Sequence, residues 1–253
     1  GLSVYMHNSD VSENISAASV QAIQLEVLNE SISLEVDKKG SFYHLSGSLK
    51  IAGKTFYPGE LQTRYNHFIQ LANTLYLVKA PALLTVMGIF KGKGKALLIH
   101  ATKFKEFRDS LLNELENSIP VSHRYLKEAS ISQVESTGLN SVPEKILYLS
   151  DFGQHISIVP VFRYADIEIP VRTKRQIVAA DERGKEFIVK RDNELEDEFM
   201  ALLLKQHPDF NEQLENPLPY FYLHKKQFLD EDWFLKVFEH WESANISILG
   251  FDE

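Results

Sequence analysis

Apolar and polar positions change period several times along this chain, and each change predicts an element. Residues 22–51 hold three β-like runs, IQLEVLN, ISLEV and SFYHLSGSLKI, in which apolar residues partly alternate with polar ones, as on half-buried strands. Lys38-Lys39-Gly40 separates the second run from the third as a turn, so a meander of antiparallel strands is expected. Phe56-Tyr57-Pro58-Gly59 closes that region, and FIQLANTLYLVK follows as two short strands around Ala72-Asn73. At 102–118 the period lengthens. Phe104, Phe107, Leu111 and Leu115 recur at three- and four-residue intervals, which predicts a core-facing helix with Thr102 as N-cap, fed by a strand at 96–100.

Residues 129–143 are polar and turn-rich, and mark the expected boundary between two substructures. Beyond them, 145–150 and 155–169 read as strands around the turn Asp151-Phe152-Gly153, and RQIVAAD and EFIVK form a hairpin. Helices are predicted at 193–206, with Leu195, Phe199, Leu202 and Leu203 on one stripe, and at 231–243, with Phe234, Val237, Phe238 and Trp241 on another and Asp230 as N-cap. The sum is an α+β chain of mostly antiparallel sheet with three main amphipathic helices. It divides into a flexible lead-in at 1–19, which is rich in Ser, Asn and Asp, an N-terminal substructure at 20–128 and a C-terminal one at 129–253.

Composition narrows the class. At 253 residues and 44% hydrophobic the chain can bury a core, and no apolar run approaches the roughly 18 to 20 residues that span a bilayer. The first residues lack the pattern of a signal peptide, and Gly1 in place of Met reads as a tag remnant. With no cysteine there is neither a disulfide framework nor a thiolate metal site, so a reducing, cytoplasmic location is expected. A net charge of -8 argues against a surface that is everywhere a nucleic-acid footprint, while leaving room for local basic patches.

Two such patches stand out. Gly88-Ile-Phe-Lys-Gly-Lys-Gly-Lys95 is not a phosphate loop, because neither Gly-Lys pair is followed by Ser or Thr. It reads as a solvated turn, or as a basic tip on which Lys91, Lys93 and Lys95 meet nucleic-acid phosphates as point charges. Arg163, Arg172, Lys174 and Arg175, interleaved with Tyr164, read as exposed strand charges or as a surface that binds a backbone and stacks a base. The acidic run Asp192, Glu194, Glu196, Asp197 and Glu198 suits a helix start. No H-x-x-x-H, H-E-x-x-H or G-x-S-x-G motif occurs, so no catalytic, cofactor or metal residue is assigned. Trp233, Phe234, Phe238 and Trp241, with Tyr220, Phe221 and Tyr222, read as core, and Trp233, at the edge of its helix stripe, is the best candidate among them for an exposed partner contact.

The segment 187–250 resembles the helicase-associated region that precedes the motor in bacterial, Bacteroidetes-type SWI/SNF-family helicase-like ATPases. The resemblance rests on Phe187-Ile-Val-Lys-Arg-Asp192 with its acidic helix, Pro219-Tyr-Phe-Tyr-Leu-His224, Phe228-Leu-Asp-Glu-Asp-Trp-Phe234 with its helix, and the strand at 246–250; a fainter likeness covers 75–118. These are patterns of apolar and acidic residues, moderately specific. The resemblance implies a non-catalytic accessory region of a DNA-dependent remodelling ATPase. ATP and magnesium would belong to a motor downstream of Glu253, whose lobes would be the partners of this segment, with DNA a further partner and no membrane. An interaction or autoregulatory module docking on the motor lobes is a second expectation, and a hydrolase with dispersed catalytic residues a third.

Overall fold

The structure, a computed structural model, describes residues 4–139, 142–216, 218–229 and 233–250. Asp230, the expected cap of the last helix, lies outside the described residues. The chain is α+β with several mostly antiparallel sheets. It separates into two compact units, one of Gly1–Phe107 with Ile119–Arg124 and one of Arg108–Ser118 with Tyr125–Glu253. Among the described residues no helix is long and apolar enough to cross a membrane.

The lead-in carries structure. Strand β1 (Val4–His7) pairs antiparallel with β2 (Val20–Leu28), from Val4 opposite Ile23 to His7 opposite Val20. The polar stretch between them folds on itself, since Ser19 is buried and its hydroxyl donates to the Asn14 carbonyl at 2.9 Å. Ser and Asn here supply local hydrogen bonds rather than disorder. The expected meander also needs correction. β3 (Ile32–Lys39) and β4 (Phe42–Ile51) do form a hairpin, with Gly40 at φ 59° in its turn. β2, however, leaves for another sheet and pairs in parallel with the strand Thr74–Val78.

The rest of the first unit comprises β5 (Lys54–Phe56), β6 (Gln62–Arg64), β7 (Phe68–Leu71), β8 (Thr74–Val78), β9 (Ala96–His100) and β10 (Val121–His123). One sheet has the order β1-β2-β8-β7-β6, and a second the order β10-β3-β4-β5 with β9 also on β4. Between β8 and β9 lies an unpredicted helix, Pro81–Phe90. Its buried residues Leu83, Val86, Met87 and Phe90 have helical spacing, but the apolar Leu84 and Ile89 between them hide the stripe. The predicted helix at 102–118 begins at Ala101, straight from β9, runs to Phe107 and continues through a π turn at Arg108–Leu112 to Asn113–Leu115. Thr102 is inside it, not capping it; its hydroxyl lies 2.9 Å from Nδ1 of His100.

In the second unit β11 (Glu144–Phe152), β12 (His155–Tyr164), β13 (Ile167–Pro170), β16 (Phe221–His224) and β17 (Ile246–Leu249) form one sheet in the order β13-β12-β11-β17, with β16 also on β12. The hairpin β14 (Ile177–Ala180) and β15 (Glu186–Val189) stands beside it as a separate ladder. Alternate residues of β11 and β12, Leu147, Leu149, Ile158 and Phe162, belong to the core with Phe199 and Leu203 of helix Asn193–Leu204 and Val237 and Trp241 of helix Trp233–Ser243. The two helix stripes read from sequence are thus the ones buried. The polar stretch after 129 holds a further short helix, Ile131–Ser136, closed by a capping box in which Ser130 and Gln133 satisfy each other's amides.

Candidate nucleic-acid interface

The first basic patch sits where helix Pro81–Phe90 ends. The amide of Lys91 donates to the Gly88 carbonyl at 3.3 Å and that of Lys93 to the Phe90 carbonyl at 2.9 Å. Gly92 and Gly94 then take φ of 71° and 70°, which bends the chain back sharply at no steric cost. The turn is braced from below. A Cβ on Gly59 would meet the Gly94 carbonyl oxygen at 2.1 Å, so the two backbones touch only because residue 59 is glycine. Lys95 belongs to that brace: its ammonium is 3.8 Å from a Glu60 carboxylate oxygen and 4.5 Å from the centre of the Tyr57 ring. Lys91 and Lys93 are exposed and, among the described residues, have no acidic partner.

The structure adds a residue that the sequence pattern does not reveal. Arg64, at the end of β6, lines the same open pocket of about 360 Å³ as Lys91, with Gly59, Thr63, Met87 and Gly92. Its Nε donates to Gln70 Oε1 at 2.9 Å, and no acidic residue lines the pocket. Some 27 residues of chain separate Arg64 from Lys91, and only the packing of turn 91–95 on the Pro58–Glu60 turn brings them together. The one local signal is Asn66, a turn former, directly after an Arg-Tyr pair.

The second patch is neutralised from within. Arg163 makes two hydrogen bonds to Glu168 Oε1, at 2.9 and 2.7 Å, and a third to Glu144 at 3.0 Å. The hydrogen bond to Glu168 raises its ionisation above that of an ordinary guanidinium. Arg172 turns inward, donates to the carbonyls of Tyr220, Gln213 and Asn216 at 2.8, 2.7 and 2.8 Å, and stacks 4.4 Å from the Phe221 ring centre. Burial pulls its ionisation below the usual value. Both are therefore structural, and alternation along strands could not reveal where their guanidinium groups point. Lys174 is exposed, shares a pocket of about 260 Å³ with Arg172, Val171, Met200 and Leu214, and is the freer cation of the group; Arg175 is half-buried.

Two further expectations resolve similarly. Trp233 is partly buried and packed inward: its indole N–H donates to the Gln206 carbonyl at 2.9 Å, and its ring lies 5.6 Å from His207 and Phe228 and 6.3 Å from Trp241. In the acidic run, Asp192 caps helix Asn193–Leu204 by accepting from the Leu195 amide at 3.1 Å. Glu196 is buried in a bidentate pair with Arg191, at 2.8 and 2.7 Å, while the same guanidinium donates to the carbonyls of Val171, Thr173 and Arg175. This is a fully satisfied ion pair holding a helix to its preceding loop. Among the described residues no group of three His, Asp or Glu is placed to hold a metal ion. Comparison with models of known families, with curated proteins and with solved structures found no match to this chain.

Proposed function

We propose that this chain is a non-catalytic accessory region of a DNA-dependent SWI/SNF-type helicase-like ATPase, and that it touches nucleic acid through Lys91, Lys93 and Arg64 of its first unit. The observation that carries the contact is the convergence of Arg64 and Lys91 on one open pocket without a carboxylate, next to the unpaired Lys93, in a chain of net charge -8. Cations that a fold leaves unneutralised against its overall charge suit the phosphates of a polyanion. Arg163 and Arg172, committed to internal hydrogen bonds, drop out of the contact. ATP and magnesium act, in this reading, on motor lobes elsewhere in the same polypeptide, and the chain positions those lobes on their substrate. An exposed Trp233 would have favoured docking on the lobes; its internal hydrogen bond removes that support.

Titration of labelled duplex and single-stranded DNA at low salt tests the contact. Binding at micromolar protein is expected, falling steeply with salt. Reversing Lys91 and Lys93 to Glu should weaken it at least about tenfold and reduce the logarithmic salt slope by about 2, one for each phosphate that is no longer neutralised. Absence of binding at micromolar protein and low salt would overturn it. The coding sequence after Glu253 tests the wider reading, which requires a P-loop and a DEAH-like motif there.

A further inference from the structure

The hairpin that presents Arg64 is unusual in its next residue. Among the described residues, four hairpin loops open on a non-glycine residue in the left-handed region: Ala52 at φ 48°, Tyr65 at 50°, Ala72 at 48° and Ala165 at 54°. L side chains rarely adopt this conformation, and bulky ones least readily. At three of the four positions the residue is alanine, which brings the least side chain beyond Cβ. At the fourth it is a tyrosine, followed by Asn66 at φ 64°. The strain is not offset by burial. Tyr65 is 69% exposed, and among the described residues neither its ring nor its hydroxyl has a partner. An unfavourable backbone that holds a large apolar ring out in water points to a task for the ring outside the fold.

The neighbours say what task. Arg64 precedes the ring in the chain and lines the pocket with Lys91; Lys93 stands next in the turn; Asn66 and His67 are exposed polar groups on the same tip. A flat π surface flanked by unneutralised cations matches a nucleotide whose base is free to stack, because every base has a π face and every nucleotide a phosphate. In a duplex the bases are stacked on each other and out of the ring's reach. We infer that Tyr65 is a stacking platform for an unpaired base, with Arg64 and Lys91 holding adjacent phosphates, so that this tip prefers single-stranded nucleic acid. The inference rests on the proposed contact at Lys91 and Lys93 and adds to it the kind of strand bound.

Tyr65→Ala and Tyr65→Phe in the full chain, titrated with labelled single strands and a duplex of equal length at low salt, test it. Alanine is the residue that three sister loops hold in this conformation, so the Ala variant should keep the fold and its unfolding midpoint should not fall. Single-strand affinity should drop about tenfold or more in Tyr65→Ala, in line with the removal of one base–aromatic stack. Duplex affinity and the salt slope should stay as they were, and Tyr65→Phe should restore the single-strand affinity. Unchanged single-strand binding in Tyr65→Ala, or equal reductions on both nucleic acids, would overturn the stacking role while leaving the phosphate contact standing. Failure of the unaltered chain to bind either nucleic acid would remove both, and tight binding of an acidic, aromatic peptide in their place would reassign the tip to a protein partner.

Discussion

Tyr164 shows how one residue of this chain ties a fold contact to pH. Its ring is buried in the core of the second unit, its hydroxyl donates to Glu196 Oε1 at 3.2 Å, and it accepts from the Asp192 amide at 3.3 Å. Burial first, and then the neighbouring Glu196 carboxylate, disfavour the phenolate and push its pKa from 10.0 to about 12. The folded value lies above the unfolded one, so the folded state keeps a proton that the unfolded chain has lost. The contribution to stability is present in full below pH 10 and disappears as the pH climbs through about 12. Tyr164→Phe should be less stable than the parent at neutral pH by about 1 kcal/mol, the worth of one hydrogen bond. The gap between the two should close as denaturant midpoints are followed across that window. Parallel curves would mean that the phenol ionises as freely in the folded state as in solution.

At the scale of elements, turn 91–95 depends on a residue far from it in the chain. Gly59 has no left-handed backbone to explain it; its role is to leave room for the Gly94 carbonyl. Gly59→Ala must push that turn away, and a stability loss of about 1–3 kcal/mol is expected. Affinity for nucleic acid should fall with it, because Lys91 leaves Arg64; full affinity in a destabilised Gly59→Ala would separate the brace from the contact. Sequence could show the glycine-lysine turn but not its brace, since a close approach of two backbones leaves no periodic trace. Helices Asn193–Leu204 and Trp233–Ser243 were legible because their buried residues contrast with polar neighbours. Helix Pro81–Phe90 was not, because its half-buried positions Ala82, Leu84 and Ile89 are apolar too and blur the stripe, and Ile131–Ser136 hid in a polar stretch although its Ser-x-x-Gln capping box was open to reading. β2 misled for another reason: alternation tells that a run is a strand but not which strand it meets, and its parallel partner β8 lies 46 or more residues along the chain.

The molecule as a whole is interleaved rather than divided once. The chain leaves the first unit at Phe107, contributes Arg108–Ser118 to the second, and returns for Ile119–Arg124. What it returns to supply is β10, parallel to β3 from Val121 opposite Leu34 to His123 opposite Val36. The Leu34 amide donates to the Pro120 carbonyl at 2.9 Å, the Arg124 amide donates to the Val36 carbonyl at 2.8 Å, and Val121 is buried. A fragment ending at residue 107 has the sequence-contiguous bulk of the first unit but leaves one edge of β3 open, beside a core that Val121 no longer covers. The two backbone hydrogen bonds that flank the ladder, at about 1 kcal/mol each, and the buried Ile119 and Val121, at about 1.5 kcal/mol or more each, put the deficit at about 5 kcal/mol or more relative to a fragment ending at residue 128. That is a large share of the stability of a small domain, so the shorter fragment is expected to melt at lower denaturant, to exchange the Leu34 amide rapidly, and to associate through the unpaired edge. Equal midpoints and equal protection of Leu34 in the two fragments would show that the first unit is complete at Phe107 and that the returning segment adds nothing to it.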